Sequence, residues 1–316
     1  MDKQTRLLAL DWGTTSLRAY RLGDQAQPLE CRELPWGIMK LPTGNGGREE
    51  AFRQAFFAAC EGWLSTTTRH EIIACGMIGS AQGWKEAAYL HCPTSLTELA
   101  GQLCQVAISP TVRLSIIPGL AIYGSDPEVM RGEETQIFGI LSEDPNATGE
   151  HIIGMPGTHS KWALTQRDSV SEFHTFMTGE VYEALRSHTI LGVTMQPAQE
   201  TDWQAFDDGV ATAMRQADTG LLSTLFSTRT RLLAGQLSAQ QQPDYLSGLL
   251  IGHEFIGLRR TLLAKRQTPI TLTGNPLLCA RYQRAFQQVG GTQPISYSAQ
   301  ATVTGLWQIA LRAGLL

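Results

Sequence analysis

The sequence predicts an α/β protein of two lobes, each built on a β-β-β-α unit, with a cleft between them. Three observations predict it. The chain has 316 residues, which at roughly 150 residues per domain suggests two. A Gly-Thr-x-Ser turn bounded by apolar, strand-like runs occurs at Gly13 and again at Gly157, an offset of 144 residues. Elsewhere short apolar runs alternate with segments of helical period.

Residues 7–12 (LLALDW) read as a buried strand, 13–16 as a tight turn and 17–22 (LRAYRL) as a half-buried strand. A third extended run covers 29–34, and 49–64 carries apolar groups at helical spacing. The second copy places strands at 152–156, 161–166 and 170–177 and a helix at 180–190. Further strands are expected at 71–75, 112–117, 269–273 and 294–297. Helices are expected from Gly132 to about residue 141, and at 203–216, 244–266, 275–289 and 301–315. The Gln-rich stretch 195–243 reads as an inserted helical segment. The lobe boundary is expected in 119–150, giving an N-terminal lobe at 1–125 and a C-terminal lobe at 126–316.

Composition narrows the function. Apolar residues are 42% and charged residues 17%, enough for large cores. A net charge of −4 argues against nucleic acid as a partner, since phosphate backbones require a basic face. No apolar run reaches the roughly 18 residues of a membrane span, and the N-terminal residues lack a signal-peptide pattern. The six cysteines form no C-x-x-C pair and read as free thiols, so a cytoplasmic protein is expected. His253-Glu254 begins like a zinc-protease motif, but Gly257 stands where the second histidine would be. The P-loop and the G-x-G-x-x-G fingerprint are both missing.

The duplicated turn carries the chemistry. Small residues at a strand end let backbone N–H groups and hydroxyls reach a phosphate. Gly13, Thr14, Thr15 and Ser16 form the first candidate, and Gly157, Thr158, His159, Ser160 and Lys161 the second. One such turn is an ordinary hairpin; two in register suggest a nucleotide triphosphate held from both lobes. Asp11 ends an apolar strand just before the first turn. A carboxylate there needs a cation or hydrogen-bond donors, so Asp11 is the expected contact for Mg2+ arriving with the nucleotide; a local cap is the alternative.

LALDWGTTSLRAY resembles the first phosphate motif of the sugar kinase, actin and heat-shock ATPase superfamily, MPGTHSKW its second, and TLTGNPLLCARY its adenosine motif. Within that superfamily the chain is similar to the 2-dehydro-3-deoxygalactonokinases. The resemblance runs through GMIGSAQGW, IIPGL, VMRGEETQ, FMTGE, LSGLLIG and LTGNPLLCARYQ, in order along nearly the whole chain except 195–243. It implies a two-lobed actin-like ATPase (ribonuclease H-like) fold. It also implies ATP and Mg2+ as cofactors, a sugar-acid substrate, and transfer of the γ-phosphoryl group to the 6-hydroxyl of 2-keto-3-deoxygalactonate. A homodimer is a compatible assembly.

Kinases of this superfamily carry a catalytic base on the helix before the second phosphate motif. The resemblance places Glu134 there, 23 residues before Gly157, with Glu133 and Asp11 as competitors. Arg131 is the first candidate for the substrate carboxylate, or else a partner of the two glutamates. Trp36, Gly37, Ser80, Gln82 and Trp84 are candidate pocket walls, against core packing for the tryptophans. Arg18 is a candidate contact or an exposed strand residue. Gly274 and Asn275, between a strand and a helix, are expected at the adenosine. Gly248 is expected there too, or against a neighbouring helix. A kinase for another sugar and a non-kinase ATPase of the same fold are the competing readings.

Overall fold

The protein is described by a computed structural model covering residues 4–42, 46–65, 67–143, 149–263 and 267–316. Its chain forms two compact units. The first comprises Met1–Gly149, Thr165–Phe173 and Ala299–Leu316; the second comprises Glu150–Leu164 and His174–Ser298.

The first unit opens with strands β1 (Leu7–Trp12), β2 (Leu17–Leu22) and β3 (Pro28–Leu34), then helix α1 (Gly47–Ala59) and strand β4 (His70–Cys75). It continues through β5 (Tyr89–His91), β6 (Thr94–Ser95), α2 (Leu96–Ala100), β7 (Cys104–Ser109) and β8 (Val112–Ile116). Strands β9 (Gly119–Ile122) and β10 (Glu128–Met130) lead into α3 (Glu133–Glu143). The main sheet has the order β3-β2-β1-β4-β8-β7. β1 sits centrally, antiparallel to β2 and parallel to β4. Helices α1 and α10 (Ala301–Arg312) both pack on β1, and side chains of both its faces are buried, which is why LLALDW is almost continuously apolar. Its Leu8, Leu10 and Trp12 join Phe52 and Phe56 of α1 in one core.

The second unit repeats the plan. β11 (Glu150–Met155), β12 (Ser160–Gln166) and β13 (Ser169–Phe176) are followed by α4 (Thr178–His188). Helices α5 (Trp203–Arg215), α6 (Leu221–Leu225), α7 (Ser227–Leu233) and α8 (Gln242–Leu258) come next. β14 (Ile270–Thr273), α9 (Pro276–Gln288) and β15 (Ile295–Ser298) complete it. The sheet runs β15-β14-β11-β12-β13-β6, residues 165–173 of it being counted in the first unit, and its run β13-β12-β11-β14-β15 matches the order β3-β2-β1-β4-β8. The duplication read from the two turns is therefore a duplication of topology.

Several boundaries differ from expectation. The helix expected to reach residue 64 stops at Ala59, and Gly62 just beyond has φ +72, a backbone that L side chains rarely adopt. The helix expected to 266 ends at Leu258, and residues 264–266 lie outside those described. The stretch 195–243 is helical as expected, and it contributes to the second unit's core: α5 crosses α8 at backbone contact, with Phe206 and Val210 buried.

The units also divide differently from the continuous lobes 1–125 and 126–316. Residues 126–149 cluster with the first unit, as does helix α10 (Ala301–Arg312). The cause is a crossing of α3 and α10 at two glycines. A Cβ on Gly305 would overlap the carbonyl of Thr135, and one on Gly139 the carbonyl of Ala301. Gln136 Nε2 adds a hydrogen bond to Thr302 Oγ1 at 3.2 Å. We expect Gly305→Ala to push α3 off α10 and cost about 1–3 kcal/mol of stability. Urea unfolding checks this; an unchanged midpoint would show that the crossing relaxes freely.

Candidate active site

In the first unit the turn after β1 is closed by the Gly13 N–H donating to the Ser16 carbonyl at 3.0 Å, leaving Thr14 and Thr15 exposed. The loop 36–39 braces it. Ile38 N–H donates to Gly13 O at 3.0 Å and Met39 N–H to Thr14 O at 3.1 Å. Gly37 touches the turn so closely that a Cβ would overlap the Thr14–Thr15 peptide. Gly37 is therefore a support of the first turn. The carbonyl of Trp36 accepts from Trp12 Nε1 at 2.8 Å. Trp84 stacks on Phe52 at 5.7 Å between ring centroids and meets Trp12 edge-on, so it anchors the core. The Ser80 hydroxyl donates to the Met77 carbonyl at 2.8 Å and is thereby occupied within its own turn, while Gln82 is exposed. Arg48, which sequence reasoning passed over, donates from α1 to the carbonyls of both Ile38 and Gln82. It ties the two candidate wall segments together.

Two carboxylates flank Arg18 beside this turn. Asp11 lies opposite Arg18 on β2, and Arg18 lies opposite Glu33 on β3. The Arg18 guanidinium reaches Asp11 at 3.8 Å and Glu33 at 3.3 Å. Burial pushes the Asp11 carboxyl up, opposed by Arg18, yet 27% of its side chain stays exposed. Next to it Gly76, at the end of β4 with φ +91, leaves room for no side chain: a Cβ would stand 2.8 Å from Trp12 O. On its other side is Gly132, whose Cβ would lie 3.2 Å from Gly76 Cα. Two abutting glycines thus seat the start of α3 against the end of β1.

At that helix start Glu134 is fully enclosed. Its Oε2 accepts from Gly132 N–H at 2.6 Å and its Oε1 from the Thr135 hydroxyl at 3.1 Å. Burial and the neighbouring Glu133 push its carboxyl up to about 8, against the Gly132 N–H. Glu133 is half-buried and accepts from Arg131 N–H at 3.1 Å. The Arg131 guanidinium has hydrogen-bond partners of its own, while its charge opposes the rise at Glu134. Nη2 donates to Ala87 O at 2.8 Å, and the group lies 4.1 Å over the Tyr89 ring. Its Nη1 is enclosed without a protein acceptor among the described residues.

In the second unit a cavity of about 770 Å³ opens beside the second turn. Gly157, Thr158, Thr178 and Gly179 line its polar end, and Leu250, Ile251, Leu277 and Leu278 give an apolar wall. The N-terminus of α4 is locked to the turn. Glu180 N–H donates to Thr158 O at 2.9 Å, and a Cβ on Gly179 would overlap Gly157 O. A helix N-terminus beside a glycine turn favours an anion, and a cavity of this size suits a nucleotide. Asn275 also lines it, while its Oδ1 caps α9 through Leu278 N–H at 3.1 Å. Gly274 has φ +130, and its carbonyl accepts from the Tyr297 hydroxyl at 2.9 Å.

Other expected contacts are placed elsewhere. His159 pairs with Glu180 at 2.6 Å at the exposed surface. Lys161 donates to Thr175 Oγ1 at 2.7 Å, and alternation along β12 puts it on the sheet face opposite Ser160. Gly248 faces α5, where a Cβ would overlap Phe206 O; its neighbour Ser247 lines the cavity instead. Gly248 thus serves helix packing, the second of its two expected roles. Sequence reasoning missed Thr178, Gly179 and Tyr282 as cavity residues. FMTGE held the first two in plain sight, but a helix start after a strand gave no sign of which turn it would meet.

The family model of 2-keto-3-deoxy-galactonokinase matches residues 11–309. The 2-dehydro-3-deoxygalactonokinase of Escherichia coli K12 is 36% identical over 290 residues, 90% of each chain. A Rhizobium meliloti 1021 protein provisionally given the same name is 38% identical over 258 residues, 79% of each chain. A Sinorhizobium meliloti crystal structure, provisionally named likewise, superposes with a TM-score of 0.82 at 32% identity. That match covers 96% of this chain and 98% of the other.

Proposed function

Because the chain belongs to the 2-keto-3-deoxy-galactonokinase family, we propose that it transfers the γ-phosphoryl group of ATP to the 6-hydroxyl of 2-keto-3-deoxygalactonate. The observation that carries the nucleotide assignment is the cavity of the second unit, with a glycine turn and a helix N-terminus at one end and an apolar wall at the other. The first unit supplies the acceptor side, with Asp11, Glu133 and Glu134 at adjoining element ends.

The acceptor oxygen attacks the γ-phosphorus as the bond to the β–γ bridging oxygen breaks, and ADP leaves. The hydroxyl proton goes to a carboxylate. The sequence favours Glu134 for that role; the geometry favours its neighbour. Glu134 is enclosed and both its oxygens already accept hydrogen bonds, whereas Glu133 is half-buried at the first position of α3. We therefore assign proton acceptance to Glu133, with Glu134 bracing the helix start. The buried Nη1 of Arg131 supports a role in holding the substrate carboxylate.

Among the described residues no three potential ligands cluster into a metal site of their own. One part-exposed carboxylate fits a magnesium ion that keeps water and phosphate oxygens as its other ligands. Asp11 would hold that ion, which would neutralise charge on the transferring phosphates. Among the described residues no helix is long and apolar enough to cross a membrane, and ATP use supports a cytoplasmic place for the reaction.

A coupled ADP-release assay tests the reading. Turnover is expected with 2-keto-3-deoxygalactonate and magnesium. Turnover with neutral hexoses and none with the keto acid would overturn the substrate.

A further inference from the structure

The His253-Glu254 pair lies on α8, and its two members face different surroundings. His253 Nε2 meets Thr224 Oγ1 at 2.8 Å. Glu254 lies behind Thr178 and Tyr282, two residues that line the proposed nucleotide cavity, and is 3% exposed. Its Oε1 accepts from Trp162 Nε1–H at 2.6 Å. Its Oε2 accepts from the Tyr282 hydroxyl at 2.6 Å and, at very short range, from the Thr178 hydroxyl.

An ionised carboxylate only accepts, so the Trp162, Tyr282 and Thr178 protons all point at Glu254. With the Tyr282 proton spent on Glu254, Ser160 Oγ, 2.8 Å from that phenol oxygen, donates into the same group, to the phenol oxygen or to Glu254 itself. Gly157 N–H approaches Ser160 Oγ at 3.5 Å. Thr178, which lines the cavity, thus aims its proton away from it, as does the enclosed Ser160 behind it. A lone pair is what Thr178 offers an incoming anion. A proton on Oε2 reverses this: the carboxyl donates to Thr178, whose hydroxyl proton is then released toward the cavity.

We propose that Glu254 is a positioning residue for the nucleotide phosphates, taking up one proton from solvent as they bind and so turning the Thr178 hydroxyl into a donor to them. This rests on the assignment of ATP to that cavity. Burial pushes the Glu254 carboxyl up to about 7, against its hydrogen bonds from Thr178, Tyr282, Trp162 and Ser160. The exchange is therefore inexpensive near neutrality. The groups facing Glu254 are Ser160 and Trp162 of β12, Thr178 of α4 and Tyr282 of α9. Tyr282 can titrate, but burial and Glu254 itself hold its phenol well above its usual value. Ionisable groups lining the cavity include Glu180, which pairs with His159 at the surface, Glu183, His188 and Arg281, and Lys161 lies on the opposite sheet face.

Calorimetric titration of the whole protein with MgADP at pH 8, in two buffers of different protonation enthalpy, reads the proton directly. The wild type should take up roughly 0.5–0.9 proton per nucleotide, and its Kd should weaken roughly tenfold from pH 6.5 to 8.5. Glu254→Gln already carries a donor at that position. It should bind within about threefold of the wild type's low-pH affinity, with no uptake beyond the ligand's own and a flat profile. Thr178→Val keeps Glu254 but has no hydroxyl to turn, so its pH dependence should shrink below about threefold. Zero uptake by the wild type, equal uptake by Glu254→Gln, or an unchanged pH profile in Thr178→Val would each overturn the assignment. A wild type that binds no MgADP at any pH would overturn the nucleotide cavity itself.

Discussion

Glu133→Gln is expected to lower kcat by roughly 10²–10⁴-fold while leaving ATP affinity nearly unchanged, since the amide keeps size and helix position but cannot take the proton. Glu134→Gln is expected to be milder on kcat and to act on stability instead. Its folded-state carboxyl stands at about 8 against 4.5 ordinarily, so the folded protein binds a proton that the unfolded chain releases. Stability from that group is complete below pH 4.5 and is lost as pH rises toward 8. Glu134→Gln should flatten that decline, seen as a raised Tm at pH 8 relative to wild type. Steady-state kinetics rank the two. If Glu134→Gln loses more than tenfold in kcat and Glu133→Gln does not, the enclosed residue is the base and must swing out to act. If neither loses tenfold, the helix-borne base is abandoned in favour of Asp11.

Asp11→Asn is the second large effect. The substitution preserves the strand end and its contact region with Gly76 but removes the charge that faces Arg18 and would face a magnesium ion. Turnover should fall about a hundredfold or more. Loss of the carboxylate also relieves a buried charge, so the protein should remain folded by circular dichroism. Because Asp11 holds Arg18 together with Glu33 across three strands, Arg18→Gln serves as the control for charge on the sheet face. Turnover of Asp11→Asn within threefold of wild type would remove Asp11 from the site.

How far the sequence reaches can be judged from particular residues. β1, the turn at Gly13 and their copies at 150–160 were legible because a central strand and a tight turn are local, and each carries its own signature. Gly248 was ambiguous because a helical glycine marks close approach without saying to what; only the position of Phe206 decides it. Arg48 and Glu254 were illegible as site residues. Each acts through partners dozens of residues away, Gln82 for one and Trp162 for the other, and no local pattern predicts such pairings. The short strands β5, β9 and β10 form a separate three-stranded sheet. With three or four residues each they are too brief to show a period. The first unit's extent was hidden for a related reason: its last helix is separated from it in the chain by the whole second unit.

That separation orders the protein's assembly on the ribosome. The second unit is finished once β15 has emerged, because its segments span only residues 150–298 with a short detour. The first unit, although most of it precedes the second along the chain, waits for α10 to cover the Gly139 face of α3. Until then the Gly139 face of α3, the helix that carries Glu133 and Glu134, is uncovered. The unit with the proposed nucleotide cavity is thus complete along the chain before the unit with the proposed base.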